Sequence, residues 1–236
     1  MACYVTIPFG IGTDATILTG NSRVKRHDDM KIQKAATRAR AEERKPESRG
    51  ARERIFETAR ELFYKQGIRA VGVETIAAEA GTTKMSLYRH FPSKDELTAE
   101  CLRAARQDFA QWWDEITAPH AGNPRKQLEA IFKAFQEKGT DEDDCRGCAL
   151  ANAAVELPDP KHPARKVVIE HKTELRRRLQ QLCKEMGARH WEKLGDCLML
   201  LMEGAHSSRI VFGADGPAQV VWKAANSLIE AERAIS

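Results

Sequence analysis

IAAEAGTTKMSLYRHF, residues Ile76–Phe91, decides how the rest of the chain is read. Ile76, Ala77 and Ala80 line one face of a short helix, Gly81 permits a sharp turn, and Lys84 to His90 gather Lys, Ser, Tyr, Arg and His on a second short helix. Two short helices joined through a glycine corner build a helix-turn-helix, whose second helix fits the major groove of DNA. Leu87 and Phe91 point inward. That leaves Thr83, Lys84, Met85, Ser86, Tyr88 and His90 for the outer surface or the hinge.

Upstream, Ile55, Phe56, Ala59, Leu62 and Phe63 recur at helical spacing, with Arg and Glu on the other face and Gly67 where the helix stops. Gly72 opens the second helix. Downstream, Ser93-Lys94-Asp95-Glu96 forms a capping box: Ser93 accepts a bond from the backbone of Glu96, Glu96 reaches back, and Pro92 sharpens the break. A long helix is predicted from Lys94 to about Ile116, then further helices near 124–138, 147–156, 162–186, 190–213 and 217–234, separated by glycine and proline breaks. No alternating strand pattern competes after Arg49, so the predicted class is all-α.

Residues 1–48 lack a sustained apolar face and read as a disordered basic arm, either a tether to phosphates or a dispensable tail; Met30 offers a second start, with 1–29 an over-extended beginning. Between Arg23 and Arg54 twelve basic residues face six acidic ones, so positive charge concentrates just before the helix-turn-helix although the whole chain carries only +4. A chain of 236 residues with 42% hydrophobic content can bury a substantial core. Six scattered cysteines fit reduced thiols better than a disulfide framework, and no segment approaches a transmembrane run of roughly 18–20 apolar residues. A cytoplasmic protein is expected.

The segment from about Ala51 to Leu97 closely resembles the head of the TetR family of bacterial transcriptional regulators. The resemblance rests on Ala59-x-x-Leu62-Phe63, Gly67, Ile76-Ala77, Ala80-Gly81, Leu87-Tyr88, His90-Phe91 and Ser93-Lys94-x-x-Leu97. It implies a three-helix helix-turn-helix DNA-binding head over 49–93 and a larger helical ligand-binding and dimerisation body over 94–236. It also implies a homodimer paired through 190–213 and 217–234, a partly palindromic double-stranded DNA operator, repression as the default, and release by a small-molecule effector. The segment Gly147–Pro163 looks like a recurring junction of such bodies. Two positions depart from the pattern: Val71 and Gly72 stand where Thr or Ser is frequent, and Met85 where a small residue is common.

Lys84 and Ser86 are the expected readers of base edges, with Thr83 and Met85 beside them and the Met85 side chain suited to a thymine methyl. Tyr88, His90 and Lys94 are the expected phosphate anchors. In the body, Trp113, Phe135, Asn152, Met202 and His206 are candidates to line an apolar cavity with a few polar groups.

Cys145-Arg146-Gly147-Cys148 supports a rival reading, a thiol-based redox switch; a zinc site would need two more ligands, for which His162 and His171 are candidates at a poorly matching spacing. A constitutive architectural DNA binder is the other alternative. No phosphate-cradling glycine loop, His-Glu-x-x-His helix or nucleophile elbow occurs, so no enzyme activity, cofactor or metal is expected.

Overall fold

The computed structural model describes residues 50–137 and 146–234, apart from the side chains of 214, 233 and 234. The arm at 1–48, the acidic loop at Asp141–Asp144 and Cys145 lie outside the described residues. Within them the architecture is all-α. The helices are α1 (Ala51–Gln66), α2 (Val73–Glu79), α3 (Lys84–His90), α4 (Lys94–Thr117), α5 (Pro124–Glu137), α6 (Ala149–Glu156), α7 (Pro163–Glu185), α8 (Trp191–Phe212) and α9 (Val221–Ala234).

The first three form a compact head. Ile55, Ala59 and Phe63 of α1, Ile76 and Ala77 of α2, and Leu87 of α3 meet Phe91 and Leu97 in one buried cluster. Local chemistry sets the boundaries. The α1 helix ends at Gly67, whose N–H still bonds the Phe63 carbonyl at 3.1 Å and whose φ of 91° then turns the chain out of the helix. Gly81 takes φ 60° at the corner between α2 and α3. Thr83 caps α3 through Oγ1, which accepts from the Ser86 N–H at 3.1 Å.

Ser93 caps α4 as expected, its Oγ accepting from the Glu96 N–H at 3.0 Å. The return half of the capping box does not form. Glu96 instead lies 3.9 Å from Arg103, about two turns further along the same helix. The last predicted segment also differs: Pro217–Val220 is a 3₁₀ turn, and α9 begins at Val221.

Packing does not stop where the head stops. The head cluster continues through Ala99, Cys101 and Leu102 of α4 into Leu150 and Ala153 of α6 and Val167 and Val168 of α7. A second cluster begins at Trp112 and Trp113 and joins α5, the later part of α7, α8 and α9 around Phe132, Phe135, Leu179 and Leu198. The two cores therefore meet partway along α4, beyond the segment boundary drawn at 93/94. Helices α7 and α8 cross closely at Gly195, where an added Cβ would lie 2.8 Å from the Gln180 Cα. The outer side of α8 leaves Leu200, Val211 and Phe212 71%, 71% and 60% exposed. No described helix is long and apolar enough to cross a membrane.

Candidate functional site

Leu87 is the single buried residue of α3. Its neighbours are consequently free to face outward: Met85 is 75% exposed and Tyr88 42%. Thr83 and Lys84 are exposed as well, and Ser86 and His90 half-exposed. All six outward candidates of α3 and its cap thus share the surface of one short helix, with Arg89 also exposed.

Two candidates are already engaged. The Lys84 ammonium donates to Glu74 of α2 at 2.5 Å, and that pair raises the Lys84 pKa and lowers that of Glu74. Both groups are solvent-exposed, so the pair is weakly held and open to exchange for a phosphate or a base. Lys94, the third expected phosphate anchor, is half-buried at the start of α4. Its ammonium lies 5.9 Å from the centre of the Phe63 ring, and partial burial lowers its pKa; it packs on the head core.

Behind the head, a cavity of about 70 Å³ opens between α1, α4, α5, α6, α7 and α8. Three of the candidates, Phe135, Met202 and His206, line it together, with Phe135 and His206 stacked edge-to-face at 4.9 Å. Trp113 does not reach it: the indole is buried in the second core beside Phe109, with the Arg178 guanidinium 5.8 Å from its ring centre. Asn152 is also set apart, donating to the carbonyl of Arg146 at 2.8 Å.

The remaining lining was not chosen from the sequence. Phe109, Leu175 and Leu150 supply apolar walls, and Tyr64, Asp108 and the Lys172–Glu203 pair at 2.5 Å supply polar ones. His171 completes the wall, edge-on to Phe109 at 5.0 Å, and is only 4% exposed. Burial, reinforced by Lys172, Arg106 and Arg178, pulls its pKa down to about 4, so it is neutral at physiological pH.

The thiol reading falls partly on Cys145, outside the described residues. Cys148 is half-buried at the cavity wall, its Sγ 3.9 Å from Nζ of Lys172. The two histidines weighed as zinc ligands are engaged separately. His162 caps α7, its Nδ1 accepting from the Ala164 N–H at 3.1 Å, and its Nε2 is 3.3 Å from Asp95. Among the described residues no three His, Cys, Asp or Glu side chains converge as a metal site.

Fold and surface together define a class: an all-α protein presenting a helix-turn-helix on a larger helical body with an internal cavity. Residues 55–101 match the family model for "Bacterial regulatory proteins, tetR family". The HTH-type transcriptional repressor KstR2 of Mycobacterium tuberculosis is 37% identical over 84 residues, 35% of this chain and 41% of that protein. KstR2 of Rhodococcus jostii is 38% identical over 88 residues, 37% of this chain and 43% of its own length. The chain thus spans about two fifths of the curated relatives it matches.

The structural likeness is broader. A tetR transcriptional regulator from Streptomyces avermitilis superposes with a TM-score of 0.70 at 29% identity, covering 78% of this chain and 99% of that one. A TetR-family regulator from Streptomyces coelicolor gives 0.68 at 28% identity, covering 77% and 93%. Residues 55–101 are thus similar to the TetR-family head, and the described fold is like that of these two TetR regulators.

Proposed function

We propose that this protein is a transcriptional repressor, working in the cytoplasm as a homodimer that grips a partly palindromic operator with two copies of α3 and releases it when a small molecule enters the body. The observation that carries the reading is the surface of α3, where one buried leucine anchors a helix whose other side chains face outward. The curated relatives named as repressors support the sign of the regulation.

Phosphate contacts from the head set register and most of the affinity, while Lys84, Met85 and Ser86 at the start of α3 read base edges. Two copies of α3 need half-sites roughly 34–36 Å apart, or a multiple. The exposed face of α8 with Leu200, Val211 and Phe212, together with α9, supplies the dimer contact. The cavity of about 70 Å³ exceeds the roughly 10–15 Å³ that a single water needs, and its aromatic and aliphatic walls favour a compact, largely apolar effector. Such a molecule loosens DNA only if it binds the DNA-incompetent arrangement more tightly than the competent one.

Selection from a random DNA pool, followed by fluorescence anisotropy on the winning duplex, tests the reading. Lys84→Ala should weaken binding to that duplex by roughly 1–3 kcal/mol if the side chain reads a base, or lower the salt slope by about one if it holds a phosphate. Undiminished affinity and an unchanged salt slope would remove Lys84 from the interface. A pool that yields no preferred sequence would remove the repressor reading.

A further inference from the structure

The Tyr64 hydroxyl ties the last turn of α1 to the loop that precedes α6. It accepts from the N–H of Arg146 at 2.9 Å and donates to the carbonyl of Gly147 at 3.2 Å. The Arg146 guanidinium returns the contact by donating to the carbonyl of Lys65, next along α1. From the other side, Asn152 of α6 holds the Arg146 carbonyl. The same loop is pressed on α8: a Cβ at Gly147 would come within 2.8 Å of the Ile210 Cδ1 and 3.5 Å of the His206 carbonyl, and φ of 77° excludes most side chains there. Loop 146–148, which runs into α6 at Ala149, is therefore closely held on both sides. It is wedged between α1 and α8, and Gly147, Cys148 and Ala149 form part of the cavity wall beside the Tyr64 ring itself.

At the opposite end of α1, Arg54 donates to the carbonyl of Ala80 at 3.1 Å, at the corner of the helix-turn-helix. A sixteen-residue helix is thus bonded to the cavity wall at one end and to the corner leading into α3 at the other. We propose that Tyr64 is the positioning residue through which occupancy of the cavity moves the DNA-binding head, by way of loop 146–148, at the start of α6, and α1. The proposal rests on the repressor reading above and specifies how the signal travels. A group that expands the cavity against Ala149 must displace the loop. With the hydroxyl in place, the end of α1 follows, and the tilt of α1 is delivered to the α2–α3 corner. Two links remain when the hydroxyl is removed, the Arg146 guanidinium on the Lys65 carbonyl and Asp108 of α4 on Arg60 of α1 at 2.6 Å, so Tyr64→Phe isolates the share carried by the hydroxyl.

A covalent stand-in for the effector makes the test independent of its identity. Ala149→Leu places added side-chain bulk in the cavity wall, and Tyr64→Phe removes only the hydroxyl. Anisotropy with the full chain and its selected duplex, at fixed salt, is measured for the parent, both single variants and the double variant. In the Tyr64 background Ala149→Leu should weaken operator binding at least tenfold; in the Tyr64→Phe background the same substitution should weaken it less than threefold. Equal losses in the two backgrounds would overturn the proposal in favour of transmission along α4 alone, and so would no loss in either background. Should Ala149→Leu lower the melting temperature by more than a few degrees, the smaller Ala149→Val replaces it with the same expected contrast. A parent that does not distinguish the selected duplex from a scrambled one would instead overturn the repressor reading itself, and the proposal with it.

Discussion

His171 should make this protein less stable in mild acid by an amount that its neutral state in the fold sets. The imidazole is 4% exposed, with Phe109 edge-on at 5.0 Å and the cations of Lys172, Arg106 and Arg178 disfavouring a second positive charge, so its pKa falls from 6.5 to about 4. The unfolded chain carries an ordinary histidine. Above pH 6.5 neither state is protonated at this site and nothing is lost; as the pH falls from 6.5 toward 4 only the unfolded state takes up the proton, and stability declines. Linkage with these two values gives a loss of about 1.4 kcal/mol at pH 5.5 and about 2.5 kcal/mol at pH 4.5. Other groups titrate in this range, so the measurement must be a difference. Urea unfolding of the parent and of His171→Phe, which keeps the aromatic bulk without the proton site, should diverge by those amounts relative to pH 7.5. If the two stability curves stay parallel to within about 0.5 kcal/mol from pH 7.5 to 4.5, His171 is not held neutral by its surroundings and the reasoning fails.

Ser93→Ala should cost about 1 kcal/mol of folding stability, read from urea unfolding, because the Glu96 N–H loses the hydroxyl that caps α4 and Glu96 offers no return bond. If the proposed dimer forms through the exposed face of α8, replacing Leu200 and Val211 together by Glu should yield monomer in sedimentation experiments at micromolar concentration and weaken binding to the selected duplex; a sedimentation coefficient equal to the parent's would refute that contact.

The head was legible because its signals are local. The glycine corner, the Ser93 cap and the helical spacing of Ile55, Ala59 and Phe63 all act within a few residues, and each appears where the sequence puts it. The cavity was legible only in part. Phe135, Met202 and His206 lie on inward faces of their own helices, whereas Tyr64 acquires its role from partners 82 and 83 residues away, which no periodicity encodes. Trp113 shows the limit of an apolar stripe. Helix α4 is covered by α5 on one side and α7 on another, so its adjacent residues Trp112 and Trp113 are both buried, and spacing cannot tell which wall faces empty space. Lys84 illustrates a similar limit on the surface: its place on α3 follows from the sequence, but its present partner Glu74 comes from the packing of α2 against α3.

The economy of α3 separates stability from recognition. The helix is held by Leu87, by the Thr83 cap at its start and by Phe91, 1% exposed just past its end. Exposed positions away from caps and cores usually change stability by no more than about 0.5 kcal/mol when substituted. Met85, Tyr88 and Arg89 can therefore change without disturbing the head, while Leu87 and Phe91 cannot. The departure at Met85 is then no conflict with the fold. On the proposed reading it alters what α3 offers to a base, at a position where the protein's own stability exerts almost no restraint.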